Sequence, residues 1–140
     1  MENRPDIYEM YKKIFERYDY NFERYGINYT IAVVKMNQTL KNIGICFEGL
    51  VRLTDEKINI NDEYHLIIFM KTNLEQGYQA LLTLERKIIK KYNLYDIDKI
   101  FVAAIVAKKK DLTSKDMVDK VMRLIENISD DCIVATEDNI

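Results

Sequence analysis

The chain has 140 residues, of which 48% are hydrophobic and 31% charged, and its formal net charge is −2. This size and balance are typical of a folded domain with a real core and exclude an intrinsically disordered chain. The small negative charge gives no overall attraction to nucleic acid or to an acidic membrane surface, so neither is expected as a partner.

Targeting and redox signals predict a cytoplasmic protein. No apolar run is long enough to span a membrane, and residues 1–5 lack the apolar segment of a signal peptide. The two cysteines, Cys46 and Cys132, lie in apolar surroundings without metal-ligand spacing. We therefore expect buried free thiols in a reducing compartment, with no disulfide, no metal site and no membrane insertion.

The first predicted element is a helix over residues 6–26. Asp6 and Glu9 have the spacing of a capping pair, apolar side chains then recur every three or four residues, and Gly26 favours a C-terminal stop. Six of the ten tyrosines lie before residue 30. Either the helix packs on its own domain through aromatic side chains, or it presents an interaction face to a protein partner or a second copy. The tyrosines assigned to that interaction face are Tyr8, Tyr11, Tyr18 and Tyr25.

Two elements separate this helix from the middle of the chain. Residues 28–36 are β-branched and apolar, which predicts the first strand. Residues 39–53 have an apolar stripe at helical spacing, although Gly44 and Gly49 weaken the helix that this stripe predicts.

A β-hairpin is predicted at the centre of the chain. The first strand of the hairpin is predicted over residues 56–60, in which residues 57–60 alternate polar and apolar, as a half-buried strand does. Residues 66–70, in the second strand, are continuously apolar, as in a central strand that is covered on both faces. Asn61, Asp62 and Glu63 lie between the two strands and supply turn chemistry, because Asn and Asp side chains bond to their own backbone.

The second half of the chain continues the alternation of helices and strands. The predicted elements are a helix over residues 72–92 with a capping box of Thr72 and Glu75, a buried strand over 99–107, a helix opened by Thr113 and Asp116, and a short strand over 132–136.

This order predicts an α+β fold with a ferredoxin-like βαββαβ core, a mostly antiparallel sheet with helices packed on one face, and an additional N-terminal helix. We expect one domain over residues 1–140, in which residues 1–26 form the N-terminal helix and residues 27–140 the α/β core.

Several short motifs follow one another in a recognisable order. Residues 24–26 (Arg-Tyr-Gly) precede the first strand, residues 52–55 (Arg-Leu-Thr-Asp) precede the hairpin, and residues 61–64 (Asn-Asp-Glu-Tyr) form its turn. With this order the chain resembles the GGDEF domain of bacterial diguanylate cyclases. The resemblance covers most of the chain and implies a nucleotide-cyclase fold. It also implies that Arg52 and Asp55 match the family's RxxD inhibitory motif, and that Asn61, Asp62, Glu63 and Tyr64 replace its Gly-Gly-Asp/Glu-Glu-Phe signature.

The resemblance also implies a degenerate active site. Ile60 and Asn61 stand where the family has the glycines that let a backbone approach the triphosphate. Lys35 stands where an active cyclase has a magnesium-binding aspartate, and Glu126 stands about where the family has a phosphate-binding lysine. The segment between the first strand and the hairpin is too short for the family's guanine-contacting loop. We therefore assign no catalytic residue, no metal and no cofactor, and expect no enzyme activity.

Two pairs of residues can each be interpreted in two ways. In the family the RxxD pair binds cyclic di-GMP, so Arg52 and Asp55 are either a ligand site or a structural ion pair. Arg86 on the long helix is a possible second guanidinium for that ligand. Asp62 and Glu63 are either metal ligands or partners of Lys35 in an ion pair or a solvated turn.

The function favoured by the sequence is that of an inactive GGDEF-like domain in bacterial signalling, acting as a protein-interaction, scaffold or regulatory module. The first alternative is a cyclic di-GMP receptor that uses Arg52 and Asp55. The second alternative is an active nucleotide cyclase.

Overall fold

The computed structural model describes residues 6–37, 49–52, 54–61, 63–95, 100–127 and, for the backbone alone, 133–135. Most of the helix predicted over residues 39–53 lies outside the described residues, as do Cys46, Cys132 and Asp62.

The described strands form one five-stranded sheet with the order β2-β3-β1-β4-β5. β1 lies at its centre and pairs antiparallel with β3 and β4, β2 pairs antiparallel with β3, and β5 is parallel to β4. The strands are β1 Tyr29–Met36, β2 Glu56–Asn59, β3 Tyr64–Met70, β4 Phe101–Ala107 and β5 Ile133–Ala135. The order of the first four strands in the sheet is that of a ferredoxin-like core, so the predicted fold class is confirmed.

The helix predicted over residues 6–26 forms as two segments, α1 Ile7–Met10 and α2 Lys12–Tyr25, which are separated at Tyr11. The predicted cap is present, because the side chain of Asp6 accepts a hydrogen bond from the Glu9 backbone at 3.2 Å. The predicted stop is also present, since Gly26 ends α2 with a φ of 69° in the left-handed region.

The two later helices are α3 Leu74–Tyr92 and α4 Ser114–Glu126. α4 begins at the predicted pair of Thr113 and Asp116, which form a capping box. The capping box predicted for α3 is wrong by one residue, because Asn73 and Gln76 form it through hydrogen bonds of 2.8 and 2.9 Å. Over the described part of the chain, no helix combines the length and the hydrophobicity needed to cross a membrane.

Helices cover both faces of the sheet, and the prediction of helices on one face is wrong. Along β1, Ile31 and Val33 enter a core shared with α1, α2 and α4, whereas Ala32 and Val34 enter a core shared with α3. α3 comes so close to the sheet that a Cβ on Gly77 would lie 2.7 Å from Cδ1 of Ile105. Two-sided coverage is the reason why β4 is apolar at every position and β1 and β3 at most positions.

The Asp19 carboxylate connects α2 to three other segments of the chain. Tyr29 at the start of β1 donates its hydroxyl to Oδ1 at 2.6 Å, and the Ser114 backbone at the start of α4 donates to Oδ2 at 3.2 Å. Lys108, which follows β4 and has a side chain only 3% exposed, places Nζ 3.1 Å from Oδ1. Burial raises the pKa of Asp19, but hydrogen bonds from Ser114, Tyr29 and Lys108 outweigh burial and hold that pKa below its usual value.

We expect Asp19→Asn to lower the free energy of unfolding by about 2 kcal/mol near neutral pH, because it leaves the buried Lys108 ammonium without a counter-charge. The folded-state pKa of Asp19 is lowered, so its contribution is complete above the aspartate pKa of the unfolded chain. That contribution is lost as the pH falls through the lower, folded-state pKa. Urea unfolding as a function of pH should therefore show the difference between wild type and variant shrinking in acid.

Asp119→Asn is the matched control, since Asp119 pairs with Lys115 at 3.6 Å on the solvent side of α4, where both side chains are more than half exposed. It should change stability little. If Asp19→Asn lowered the free energy of unfolding only slightly, or by the same amount at neutral and acid pH, the charge of the Asp19 carboxylate would not be what holds α2 in place.

Candidate functional site

The predicted turn between β2 and β3 is closed by the side chain of Asn61. Its Oδ1 accepts hydrogen bonds from the backbone N–H groups of Glu63 at 2.8 Å and of Tyr64 at 3.0 Å. The backbone N–H groups of Ile60 and Asn61 both donate to the Tyr64 carbonyl, at 3.1 and 3.2 Å. The predicted hairpin and the predicted turn chemistry of asparagine are thus confirmed.

The end of β1 places a cation beside this turn. Lys35 is the register partner of Tyr64, and its Nζ lies 4.0 Å from Oε2 of Glu63. The next residue of β1, Met36, donates its backbone N–H to the Glu63 carbonyl at 2.8 Å. Glu63 is therefore held against β1 by its backbone, and its carboxylate faces an ammonium group. Among the residues that the structure describes, no three His, Cys, Asp or Glu side chains converge as metal ligands would.

A solved structure of a diguanylate cyclase matches this chain with a TM-score of 0.66, across 89% of the chain and at 13% sequence identity. The fold is therefore similar to that of a diguanylate cyclase. The matching protein is SiaD from Pseudomonas aeruginosa, in complex with its activator SiaC, and the present chain spans 57% of its length. No protein-family model matches the sequence. No curated protein matches it either.

Within this cyclase-like fold, the structure brings Arg52 and Asp55 together. Arg52 donates from Nε and Nη2 to the two oxygens of Asp55, at 3.1 and 3.0 Å. The Asp55 side chain is 1% exposed and also accepts the Met70 backbone N–H at 3.1 Å. Arg52 Nη2 further donates to the Met70 carbonyl at 2.7 Å and to the Thr72 hydroxyl at 3.2 Å. The pair thus ties the segment before β2 to the end of β3.

A groove of about 350 Å³ lies beside this pair and carries an excess of positive charge. Among the residues that the structure describes, its charged lining residues are Arg52, Lys71 and Lys87, with Asp55 as the one acid. Arg86, the second cation suggested by the sequence, does not line the groove, whereas its neighbour Lys87 does. Sequence analysis also missed Lys71, which has a φ of 56°. A left-handed lysine directly after a strand has no sequence signature, because the residue types that favour this conformation are glycine and asparagine.

A larger cavity of about 680 Å³ lies at the other end of β1 from the hairpin. Its lining includes Asn28 before β1, Ala107 at the end of β4 and Tyr78 on α3. Thr72 lines this cavity as well as the groove beside Arg52, so the two hollows flank the first turn of α3. The sequence analysis assigned no functional residue there.

The four tyrosines predicted to form an interaction face do not lie on one surface: some belong to the core or pack against it, and one is exposed. Tyr18 is 3% exposed and packs against Tyr29 with a ring separation of 5.2 Å, so it belongs to the core and not to an interaction face. Tyr8 is partly buried and stacks on Phe15 at 5.3 Å, and Tyr11 packs on the same core. Of the four predicted residues, only Tyr25 is exposed, at 63%. The sequence analysis left out Tyr20, which is 55% exposed and meets Tyr25 edge-on at 6.3 Å.

We expect Asp55→Ala to lower the free energy of unfolding by about 2 kcal/mol, because it leaves the Met70 N–H and the Arg52 guanidinium without their acceptor. Asp55→Asn keeps one acceptor oxygen and should cost less. Chemical denaturation measures both changes.

Thr54→Ala is the control, because Thr54 is an exposed residue next to Asp55 in the same segment. If Asp55→Ala were as stable as Thr54→Ala, the pair would not be a structural tie.

Proposed function

We propose that this chain is a catalytically inactive GGDEF-like domain that acts as a protein-interaction, scaffold or regulatory module in bacterial signalling. The observation that carries the proposal is the approach of Lys35 Nζ to Glu63 Oε2 at 4.0 Å, at the end of β1 and beside the hairpin turn. By the resemblance, this is the position where an active cyclase holds magnesium.

A lysine at this position opposes the chemistry of a cyclase. Attack on the α-phosphate of GTP requires a divalent cation that neutralises the triphosphate and is held by oxygen ligands. A protonated amine offers no lone pair to the metal and repels it. The cation of Lys35 also partly neutralises Glu63, which is the described carboxylate of the turn. An apolar residue at position 35 would remove a ligand, whereas lysine both removes a ligand and adds an opposing charge.

The geometry of the turn supports the same proposal. In a glycine-rich turn the backbone N–H groups can point at phosphate oxygens, because no side chain intervenes. In this turn Asn61 Oδ1 accepts the N–H groups of both Glu63 and Tyr64. A triphosphate would have to displace these two hydrogen bonds in order to use the same donors.

A role in protein interaction draws support from the surface and from the structural match. The diguanylate cyclase SiaD was solved with its activator SiaC, so one protein of this fold assembles with a protein regulator. On the present chain, Tyr20 and Tyr25 keep more than half of their surface exposed. Tyrosine is enriched among the residues that dominate binding at protein interfaces.

The first test is incubation with GTP and either Mg²⁺ or Mn²⁺, with pyrophosphate release as the measurement. We expect no release above a control without protein. Glu63→Gln distinguishes intrinsic activity from contamination, because it removes the turn carboxylate. Metal-dependent release by the wild type that disappears in Glu63→Gln would overturn the proposal.

A second candidate function, reception of cyclic di-GMP, is favoured by the groove beside Arg52. In the described part of its lining there are three cations, Arg52, Lys71 and Lys87, and one acid, Asp55, which is already bound by Arg52. A cyclic dinucleotide carries two phosphodiester charges, which such a groove would attract. In this function Arg52 would hold a phosphate or a guanine edge, and Asp55 would fix the orientation of Arg52.

Calorimetry with cyclic di-GMP tests this second function. We expect Lys87→Ala to weaken binding roughly three- to fivefold without changing the melting temperature, because it removes one exposed charge contact. Lys90→Ala is the matched control on the same helix, since Lys90 is exposed and does not line the groove. The absence of heat at high micromolar dinucleotide, or equal binding by Lys87→Ala and wild type, would exclude the groove as the receptor site and leave the interaction function standing.

A further inference from the structure

The cavity at the start of α3, where β1 begins and β4 ends, takes no part in either function considered above. Its volume is about 680 Å³, which lies within the range of small-molecule sites in proteins. It is the larger of the two hollows that flank the first turn of α3. A cavity of this size has room for an organic molecule.

Hydrogen bonds join the walls of this cavity to one another. The backbone N–H of Lys71 donates to the Asn28 carbonyl at 2.7 Å, and the Thr30 hydroxyl donates to the Thr72 carbonyl at 2.7 Å. On the other side of β1, Thr30 is the register partner of Ala107 in β4. The segments that line the cavity are therefore held in place without a ligand, as in most small-molecule sites.

Three polar side chains of the lining have no hydrogen-bond or ion-pair partner among the residues that the structure describes. They are the amide of Asn28, the carboxylate of Glu75 and the hydroxyl of Tyr78. Glu75 and Tyr78 are three residues apart on α3, so they lie on the same face of that helix. These groups are available to a molecule that enters the cavity.

The uncompensated charge at this cavity is negative. Glu75 and Lys108 are the charged residues of its described lining. The Lys108 ammonium lies 3.1 Å from Oδ1 of Asp19 and also donates to the Leu112 carbonyl, so its charge is already paired inside the protein. Glu75 has no such counter-charge among the described residues. The cavity should therefore attract cations.

The N-terminus of α3 does not reverse this preference. A helix N-terminus attracts anions through N–H groups that lack a partner inside the helix. Here the Gln76 N–H donates to the Asn73 side chain at 2.8 Å, and the Gly77 N–H donates to the Asn73 carbonyl at 2.9 Å. Glu75 supplies the negative charge that the first turn favours. An anionic ligand would have to approach against that carboxylate.

We propose that this cavity binds a small organic cation, with its ammonium group at the Glu75 carboxylate and its apolar body against Leu74 and the Tyr78 ring. An ammonium group donates up to three hydrogen bonds, and the carboxylate, the Asn28 side-chain carbonyl and the Tyr78 hydroxyl are acceptors. The face of an aromatic ring also attracts a cation. A ligand with both an ammonium group and an apolar body matches this lining.

Three probes of similar size and different charge test the proposal: phenethylamine, which is a cation at neutral pH, phenethyl alcohol, which is neutral, and hydrocinnamate, which is an anion. NMR titration of the full chain in low salt measures their binding through the backbone amide resonances of Glu75 and Tyr78. We expect phenethylamine to bind with a Kd of about 1 mM, as suits so small a molecule. The other two probes should bind at least about fivefold more weakly, because they cannot pair with the carboxylate.

Glu75→Gln removes the charge and keeps the shape of the side chain. It should weaken the binding of phenethylamine at least about fivefold and leave the binding of phenethyl alcohol unchanged. Glu23→Gln is the matched control, because Glu23 is an exposed acid on α2 that does not line the cavity. It should bind all three probes as the wild type does. Circular dichroism should show both variants folded, since both positions are exposed.

Equal binding of the three probes, or tightest binding of hydrocinnamate, would show that the cavity does not select cations and would overturn the proposal. The same holds if Glu75→Gln binds phenethylamine as tightly as Glu23→Gln does. Failure of phenethylamine to saturate the shifts at roughly 20 mM, or shifts confined to amides outside the cavity, would also overturn it.

Binding of a cation here goes beyond the proposed function and is independent of it. Lys35 and Glu63 at the hairpin turn do not line this cavity, and neither does Arg52 in the groove. Metal-dependent GTP turnover would overturn the inactive module and leave the cation site standing. A cavity without selectivity for cations would overturn the site and leave the module standing.

Discussion

The need to cover both faces of the central strands arranges the rest of the structure. In β1, Ile31 and Val33 enter one core while Ala32 and Val34 enter the other, and all four are fully buried. Each uncovered face would cost about 25 cal/mol for every Å² of apolar surface left in water. The N-terminal helices are therefore structural layers, as necessary as α3.

Burial of apolar surface holds these layers together but does not fix the orientation of one layer on another, because the hydrophobic effect is not directional. The Asp19 carboxylate fixes the orientation of α2, because it bonds to Tyr29 in β1, to Lys108 after β4 and to the start of α4. The buried ammonium of Lys108 gives this contact its strength, because a buried cation without a carboxylate is far less favourable than an exposed one. The orientation of Tyr20 toward solvent follows from this constraint, since rotating α2 would break three contacts.

The sequence predicted the elements well because strands, hairpin and helix stops depend on local patterns. The details that the sequence analysis placed wrongly are those that depend on tertiary contacts. Two residue pairs fit the capping template of α3: Thr72 with Glu75, and Asn73 with Gln76. The Thr72 hydroxyl cannot cap α3, because it donates to the Met70 carbonyl and accepts from Arg52.

The βαββαβ template also suggested that only one face of the sheet is covered, although the continuously apolar strand already indicated that both faces are. Lys71 and Lys87 are 16 residues apart, and only the packing of α3 on the sheet brings them to one groove.

The two ends of β1 and β3 differ in how firmly their charges are held, and this difference constrains what each end can do. At the hairpin, Lys35 and Glu63 are 4.0 Å apart and partly exposed, so their attraction adds little to the stability of the fold. The main effect of Lys35 is the positive charge that it places beside the turn. At the other end, both oxygens of Asp55 are bonded and the side chain is buried. A ligand that required the Asp55 oxygens would have to break these bonds first. An anion need not break them, because the exposed guanidinium of Arg52 and the two groove lysines are donors that Asp55 leaves available. A ligand that bound at this end would therefore be favoured by negative charge and not by hydrogen-bond donors.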